Sequence, residues 1–173
     1  QSVKELFLIN VWGQDKPGVT RVVTEVLSTF EVTVLDIGQA VIHDQLNLGI
    51  LAAVPAGKDS EALVKDVQRG LQALEIQVMF SPITEQRYQS WVAQQGKARY
   101  IVTLLARKIE PEHLAAVATV TSEYDLNIDK IVRLSGRMEL DESEDLGRAC
   151  VEFSVRGEPK DAVQFKSALL ELA

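Results

Sequence analysis

The chain carries one pattern twice, and the two copies are in register at an offset of 94 residues. Under that shift Pro17 falls on Pro111, Val23 on Val117, Val26 on Val120, Phe30 on Tyr124, Val32 on Leu126, Val34 on Ile128 and Ile37 on Ile131. An apolar pattern that survives this shift without a gap predicts a duplicated small fold, each copy able to bury only a thin core of its own. At 173 residues there is room for two such units of about 80 residues each.

Periodicity supplies the elements. Residues 5–12 alternate as a strand. The break at Gln14-Asp15-Lys16-Pro17-Gly18 leads into a helix with Val19, Val22, Val23, Val26, Leu27 and Phe30 on one stripe. The β-branched run from Val32 to Ile42 predicts a well-covered strand, and Leu46, Leu48, Ile50, Ala52 and Val54 alternate through a third. Asp59 and Ser60 are candidate N-caps for a helix with Leu63, Val67, Leu71 and Leu74 on one face, and residues 75–81 form a fourth strand. The order β-α-β-β-α-β is that of the ferredoxin-like unit, an antiparallel sheet with two helices on one face.

The expected fold class is therefore α+β with two ferredoxin-like units, 1–81 and 98–173, joined by a connector at 82–97. Pro82, four Gln and Gly96 mark that connector, and Tyr88 and Trp91 within it are expected to pack on one unit or between the two. The second copy reads as strands at 98–106, 127–135 and 148–156 with helices at Pro111–Tyr124 and from about Pro159. It stops before a last strand, as expected of a segment cut from something longer.

Charge narrows the function. A net charge of −7 and no run of Lys or Arg argue against a nucleic-acid partner. No apolar stretch reaches the ~18 residues a membrane span needs, and no signal peptide is legible at the start. Cys150 has no second cysteine in the chain to bridge to, which points to a reducing, cytoplasmic setting and a core or half-buried thiol. Asp141, Ser143, Asp145 and Glu152 fall at calcium-loop spacings, but Leu146 stands where the glycine is needed, so a solvated acidic hairpin is expected. His43 and His113 lack partners at zinc-ligand spacing. No catalytic residues, metal site or cofactor are read within the chain.

One segment has the makings of a binding site. Pro17 presets the backbone, Gly18 removes the side chain where the helix begins, and the free N–H groups of that helix end favour a carboxylate. Asp15 beside them would accept from an ammonium group, so an α-amino acid suits both, although the same residues also make a plain strand-to-helix turn. In the second copy Glu112 replaces Gly18, which should weaken an anion site there.

The strand, Asp-Lys-Pro-Gly-Val, helix and LDIGQAVIHDQLNLGILAAVP together resemble an ACT domain, a regulatory module that binds amino acids. With NIDKIVRLSGR in the second copy, nearly the whole chain resembles the tandem-ACT region of the long-type bacterial phosphoserine phosphatases. That resemblance implies two ACT units, the second lacking its last strand. It also implies a homodimer sensing L-serine or glycine, and a following haloacid-dehalogenase-type domain that hydrolyses L-phosphoserine with Mg2+ on an Asp-x-Asp motif absent from this chain. It assigns the effector site to Asp15, Pro17, Gly18 and Val19, with Asp36 and Ile37 on an opposing wall supplied by a second ACT domain. The alternatives are a stand-alone tandem-ACT regulator resembling the glycine-cleavage repressor, and a module that only dimerises.

Overall fold

The computed structural model describes residues 4–134, 149–159 and 161–172. The chain divides into two compact units, Gln1–Trp91 and Val92–Ala173.

In the first unit β1 (Glu5–Gln14), α1 (Val19–Thr29), β2 (Thr33–Ile42), β3 (Gln45–Val54), α2 (Ser60–Gln72) and β4 (Gln77–Ile83) follow the predicted order. The four strands form one antiparallel sheet in the order β2-β3-β1-β4. Phe7, Ile9 and Val11 of β1 and Leu46, Leu48 and Ile50 of β3 pack against Val19, Val23 and Leu27 of α1 and Leu63, Val67 and Leu71 of α2. The helices thus cover one face, and strand alternation sends Leu6, Leu8, Leu51 and Asp36 to the other.

α3 (Glu85–Gln95) comes next, and β5 (Arg99–Ala106), α4 (Pro111–Glu123), β6 (Asn127–Arg133), β7 (Ala149–Arg156) and α5 (Ala162–Leu170) build the second unit. Its sheet has the order β5-β7-β6, equivalent to β1-β3-β2 of the first. Phe153, Val151 and Val155 of β7 meet Val117 and Val120 of α4 and Phe165 of α5 in its core. β1 is flanked on both sides, by β3 and β4, whereas β5 pairs only with β7 among the described residues.

The duplication extends to backbone irregularities that no hydropathy pattern encodes. A β-bulge falls between Val34 and Asp36 in β2 and between Ile128 and Lys130 in β6, again 94 apart. The left-handed residues that end α1 and α4 are Glu31 (φ 55) and Asp125 (φ 56). The bonds around them match: Val32 N–H donates to the Leu27 carbonyl at 3.1 Å and Leu126 N–H to the Thr121 carbonyl at 2.9 Å. Both are helix C-caps in which a left-handed residue turns the chain back toward the sheet.

Three expectations are corrected. β2 is an edge strand rather than a well-covered one, and Val34, Ile37, Val41 and Ile42 are exposed. Its β-branched run reports strand propensity, which edge and central strands share. Within the connector, residues 85–95 are helical, capped where the Thr84 hydroxyl oxygen accepts from Arg87 N–H at 3.1 Å. The last helix starts at Ala162, not near Pro159, because the Asp161 carboxylate accepts from Val163 and Gln164 N–H at 3.0 and 3.1 Å.

Candidate functional site

The β1–α1 loop is shaped by what holds its neighbours. Asp15 N–H donates to the Asp44 carbonyl at 2.7 Å, tying the loop to the β2–β3 turn. In that turn the His43 ring at 3.0 Å and the Gln45 amide at 3.0 Å hold the Asp44 carboxyl below the usual aspartate range. Lys16, part of the Asp-Lys-Pro-Gly-Val segment but given no role by its sequence, reaches across to the end of α2. Its ammonium donates to the Leu74 carbonyl at 2.8 Å and lies 3.6 Å from the Glu75 carboxylate. A cation on the last carbonyls of a helix meets the negative end of its dipole and satisfies an otherwise orphaned acceptor. Lys16→Met is expected to cost about 1 kcal/mol, within the range for a charge at a helix C-terminus, read as a lowered midpoint in urea with an unchanged slope.

With both sides of the loop fixed, Gly18 becomes the N-cap of α1 at φ 93, ψ −4, a left-handed conformation that favours glycine. No side chain caps this end. The other described helices differ: Asp59 caps α2, Thr84 α3 and Asp161 α5. At α4, Glu110 and His113 form a capping box, with Glu110 N–H donating to His113 Nδ1 at 3.2 Å. α1 therefore leaves its first-turn N–H groups without a side-chain acceptor, at the positive end of a helix dipole. Asp15 and Pro17 are exposed beside it. Val19 is buried in the core at 2% exposure, so only its backbone faces the loop.

In the second copy the position equivalent to Gly18 is Glu112, the second residue of α4. That helix begins earlier, and the His113 ring at its first turn takes the N–H of the N-cap residue Glu110. The two copies are alike in fold and unlike here.

Asp36 and Ile37 lie on β2, on opposite faces of the sheet. Ile37 pairs with the buried Ile50 on the helix-covered face and is 50% exposed at the edge. Asp36 pairs with Leu51 on the other face, turned away from α1. The structure does not bring Asp36 together with Gly18 within one unit. It places Asp36 instead at a cleft of about 220 Å³, together with Leu8, Leu51 and Ile83 of the sheet and Arg87, Tyr88 and Trp91 of α3. Of the acidic residues weighed as a calcium loop, 141–145 lie outside the described residues and Glu152 is in β7. Among the described residues no cluster of His, Cys, Asp and Glu could hold a metal ion, and no helix is long and apolar enough to cross a membrane.

Comparison with known families matches residues 5–81 to the ACT domain. The first unit is an ACT domain. Over 129 residues the chain is 30% identical to a phosphoserine phosphatase of Streptomyces coelicolor. Over 134 residues it is 31% identical to phosphoserine phosphatase SerB2 of Mycobacterium tuberculosis. Each match covers 74% of this chain but only 30% of the relative, so the chain spans less than a third of the length of these curated proteins. Beyond the first ACT domain, two solved structures share the fold of both units. One is a protein of unknown function from Galdieria sulphuraria, with TM-score 0.70, 16% identity and coverage of 98% of this chain and 92% of that one. The other is a candidate glycine cleavage system transcriptional repressor, with TM-score 0.64, 13% identity and coverage of 99% and 91%. The tandem ferredoxin-like architecture read from the repeat is the one these neighbours have.

Proposed function

We propose that the chain is the amino-acid-sensing and dimerising ACT region of a cytoplasmic phosphoserine phosphatase. The carrying observation is the N-terminus of α1, uncapped and led by a left-handed glycine, in the unit that belongs to the ACT family. An α-carboxylate of L-serine or glycine takes the N–H groups at Gly18 and Val19, and Asp15 takes the ammonium group. Pro17 holds the loop, and the β2 edge at Asp36 and Ile37 of a facing domain in a homodimer closes the far side. Hydrolysis of L-phosphoserine, with its Mg2+, belongs to a phosphatase domain of the parent protein, as the names of the relatives support. The effector acts on that domain only through a difference in its affinity for two arrangements of the protein.

A stand-alone tandem-ACT regulator is the second reading, favoured by the 91% of the repressor-like neighbour that this chain covers. A gene that continues into an Asp-x-Asp phosphatase motif excludes it.

Thermal unfolding with and without millimolar L-serine tests the sensing role. At a concentration near 100 Kd, ligand linkage adds about 2.7 kcal/mol, which for a chain of this size raises Tm by about 5–10 °C. A melting curve indifferent to both L-serine and glycine would leave a purely dimerising module.

A further inference from the structure

The cleft on the uncovered face of the first sheet has a chemistry of its own. An antiparallel sheet with helices on one face ordinarily turns polar residues outward on the other. Here Leu8 and Leu51, cross-strand partners in the register, put a half-buried apolar floor on that outer face. The first two turns of α3 lie above it. Tyr88 and Trp91 form a tilted ring pair, 6.1 Å between centroids, that helps to wall the space. A helix laid over apolar sheet residues should close on them, yet about 220 Å³ remains between the two layers.

Two opposite charges line the same space. Asp36 and Arg87 are both exposed, and among the described residues neither enters an ion pair. The Asp36 carboxylate accepts from the N–H of Ile37 at 3.0 Å, which orients it and leaves its other oxygen open. A carboxylate and a guanidinium beside an apolar hollow are complementary to a small zwitterion with a greasy tail. The volume is below the roughly 300 Å³ at which drug-sized ligand pockets begin, which favours a small ligand over a nucleotide or an organic cofactor. One charge of each sign disfavours polyanions.

We propose that this cleft binds an α-amino acid with a large apolar side chain. Asp36 takes the ammonium group, Arg87 takes the carboxylate, and the side chain lies between the Leu8–Leu51 floor and Trp91. Within one unit the cleft lies on the sheet face opposite the loop at Gly18 and shares with the reading given to that loop only Asp36, and it does not rest on that reading. L-Serine, with a single hydroxymethyl group, leaves the apolar walls unfilled. The chain would then answer to amino acids of two kinds, at opposite faces of one sheet.

Trp91 supplies the readout, since Trp12→Phe leaves it the only tryptophan in the chain. Titrating that variant of the whole chain with L-leucine, and separately with L-phenylalanine, is expected to give a saturable change in Trp91 emission. Arg87→Gln and Asp36→Asn, both at exposed positions, should each weaken binding about tenfold with unchanged melting, the ~1.4 kcal/mol equivalent of one charge-assisted hydrogen bond at the low end of its range. 4-Methylpentanoate and isoamylamine, which each lack one charged group of L-leucine, should be weaker to the same degree. L-Serine should not compete, and Gly18→Asp should leave the titration unchanged. Silence with both amino acids overturns the proposal. So does 4-methylpentanoate binding as tightly as L-leucine, which would make the cleft an undiscriminating apolar gap. Loss of the signal in Gly18→Asp, with competition by L-serine, would move the binding to the β1–α1 loop and also overturn it.

Discussion

Phe153→Ala is expected to unfold the second unit and leave the first folded. Phe153 sits at the middle of the central strand β7, fully buried, with Val102 beside it on β5 and Ile131 on β6. Around it lie Val117, Val120, Leu126 and Phe165, the last of which also meets the Tyr100 and Tyr124 rings at 5.8 and 5.6 Å. Truncating a buried Phe costs about 3–5 kcal/mol. A unit of this size has only about 5–15 kcal/mol to lose, and a three-stranded sheet with a small cluster of buried residues belongs near the bottom of that range. The readout is built into the chain, because Trp12 and Trp91 both lie in the first unit while Tyr100 and Tyr124 lie in the second. Tryptophan emission should stay native while far-UV circular dichroism loses part of its amplitude at ambient temperature. A single transition, with both probes lost together, would show that the two units fold as one.

Gly18→Asp should abolish the L-serine response, and Gly18→Ala should keep it. At φ 93 a side chain of either kind pays the left-handed penalty, about 1–2 kcal/mol. Space is not the obstacle, since an added Cβ would meet only the Arg21 guanidinium, at 3.9 Å. The two variants therefore share a backbone cost and differ in charge. Aspartate places a tethered carboxylate over the first-turn N–H groups of α1, the cap that α2 and α5 already carry and α1 lacks. A ligand carboxylate must then displace it. Alanine offers no acceptor and leaves those donors open. Melting curves with and without L-serine should show both variants destabilised, the alanine form still stabilised by ligand and the aspartate form indifferent. Equal responses in the two would place serine binding elsewhere in the chain.

Most of the fold was legible because the signals were local and repeated. The stripe from Val19 to Phe30 and the alternation from Leu46 to Val54 each define one buried face, and the 94-residue offset checks each copy against the other. The misses have physical causes. The helix at 85–95 contains good helix formers but buries no residue fully, so it lacks the apolar stripe that periodicity detects. β2 carries strand-forming residues that do not reveal whether a neighbour lies on both sides. In the β1–α1 loop, Asp15, Lys16, Pro17 and Gly18 were readable as adjacent residues, whereas the contact that Lys16 makes was not, because its partner carbonyl is 58 residues away. The cleft was invisible for the same reason: its lining comes from four strands and a helix. One trace of it does exist in the sequence. Leu8 and Leu51 occupy strand positions whose alternation calls for polar residues, and such a departure marks a face that something covers.

β5 has a consequence for how the purified chain behaves. Its outer edge offers backbone donors and acceptors with no partner strand among the described residues, flanked by Ile101 and Leu105 at 54% and 62% exposure. Such an edge is a template for any extended segment, including another β5. Two chains pairing there would join their sheets, and the second unit would gain stability from its own concentration by mass action. Tm for this unit would then be a property of the sample as much as of the sequence. Dilution becomes a variable as informative as pH or temperature.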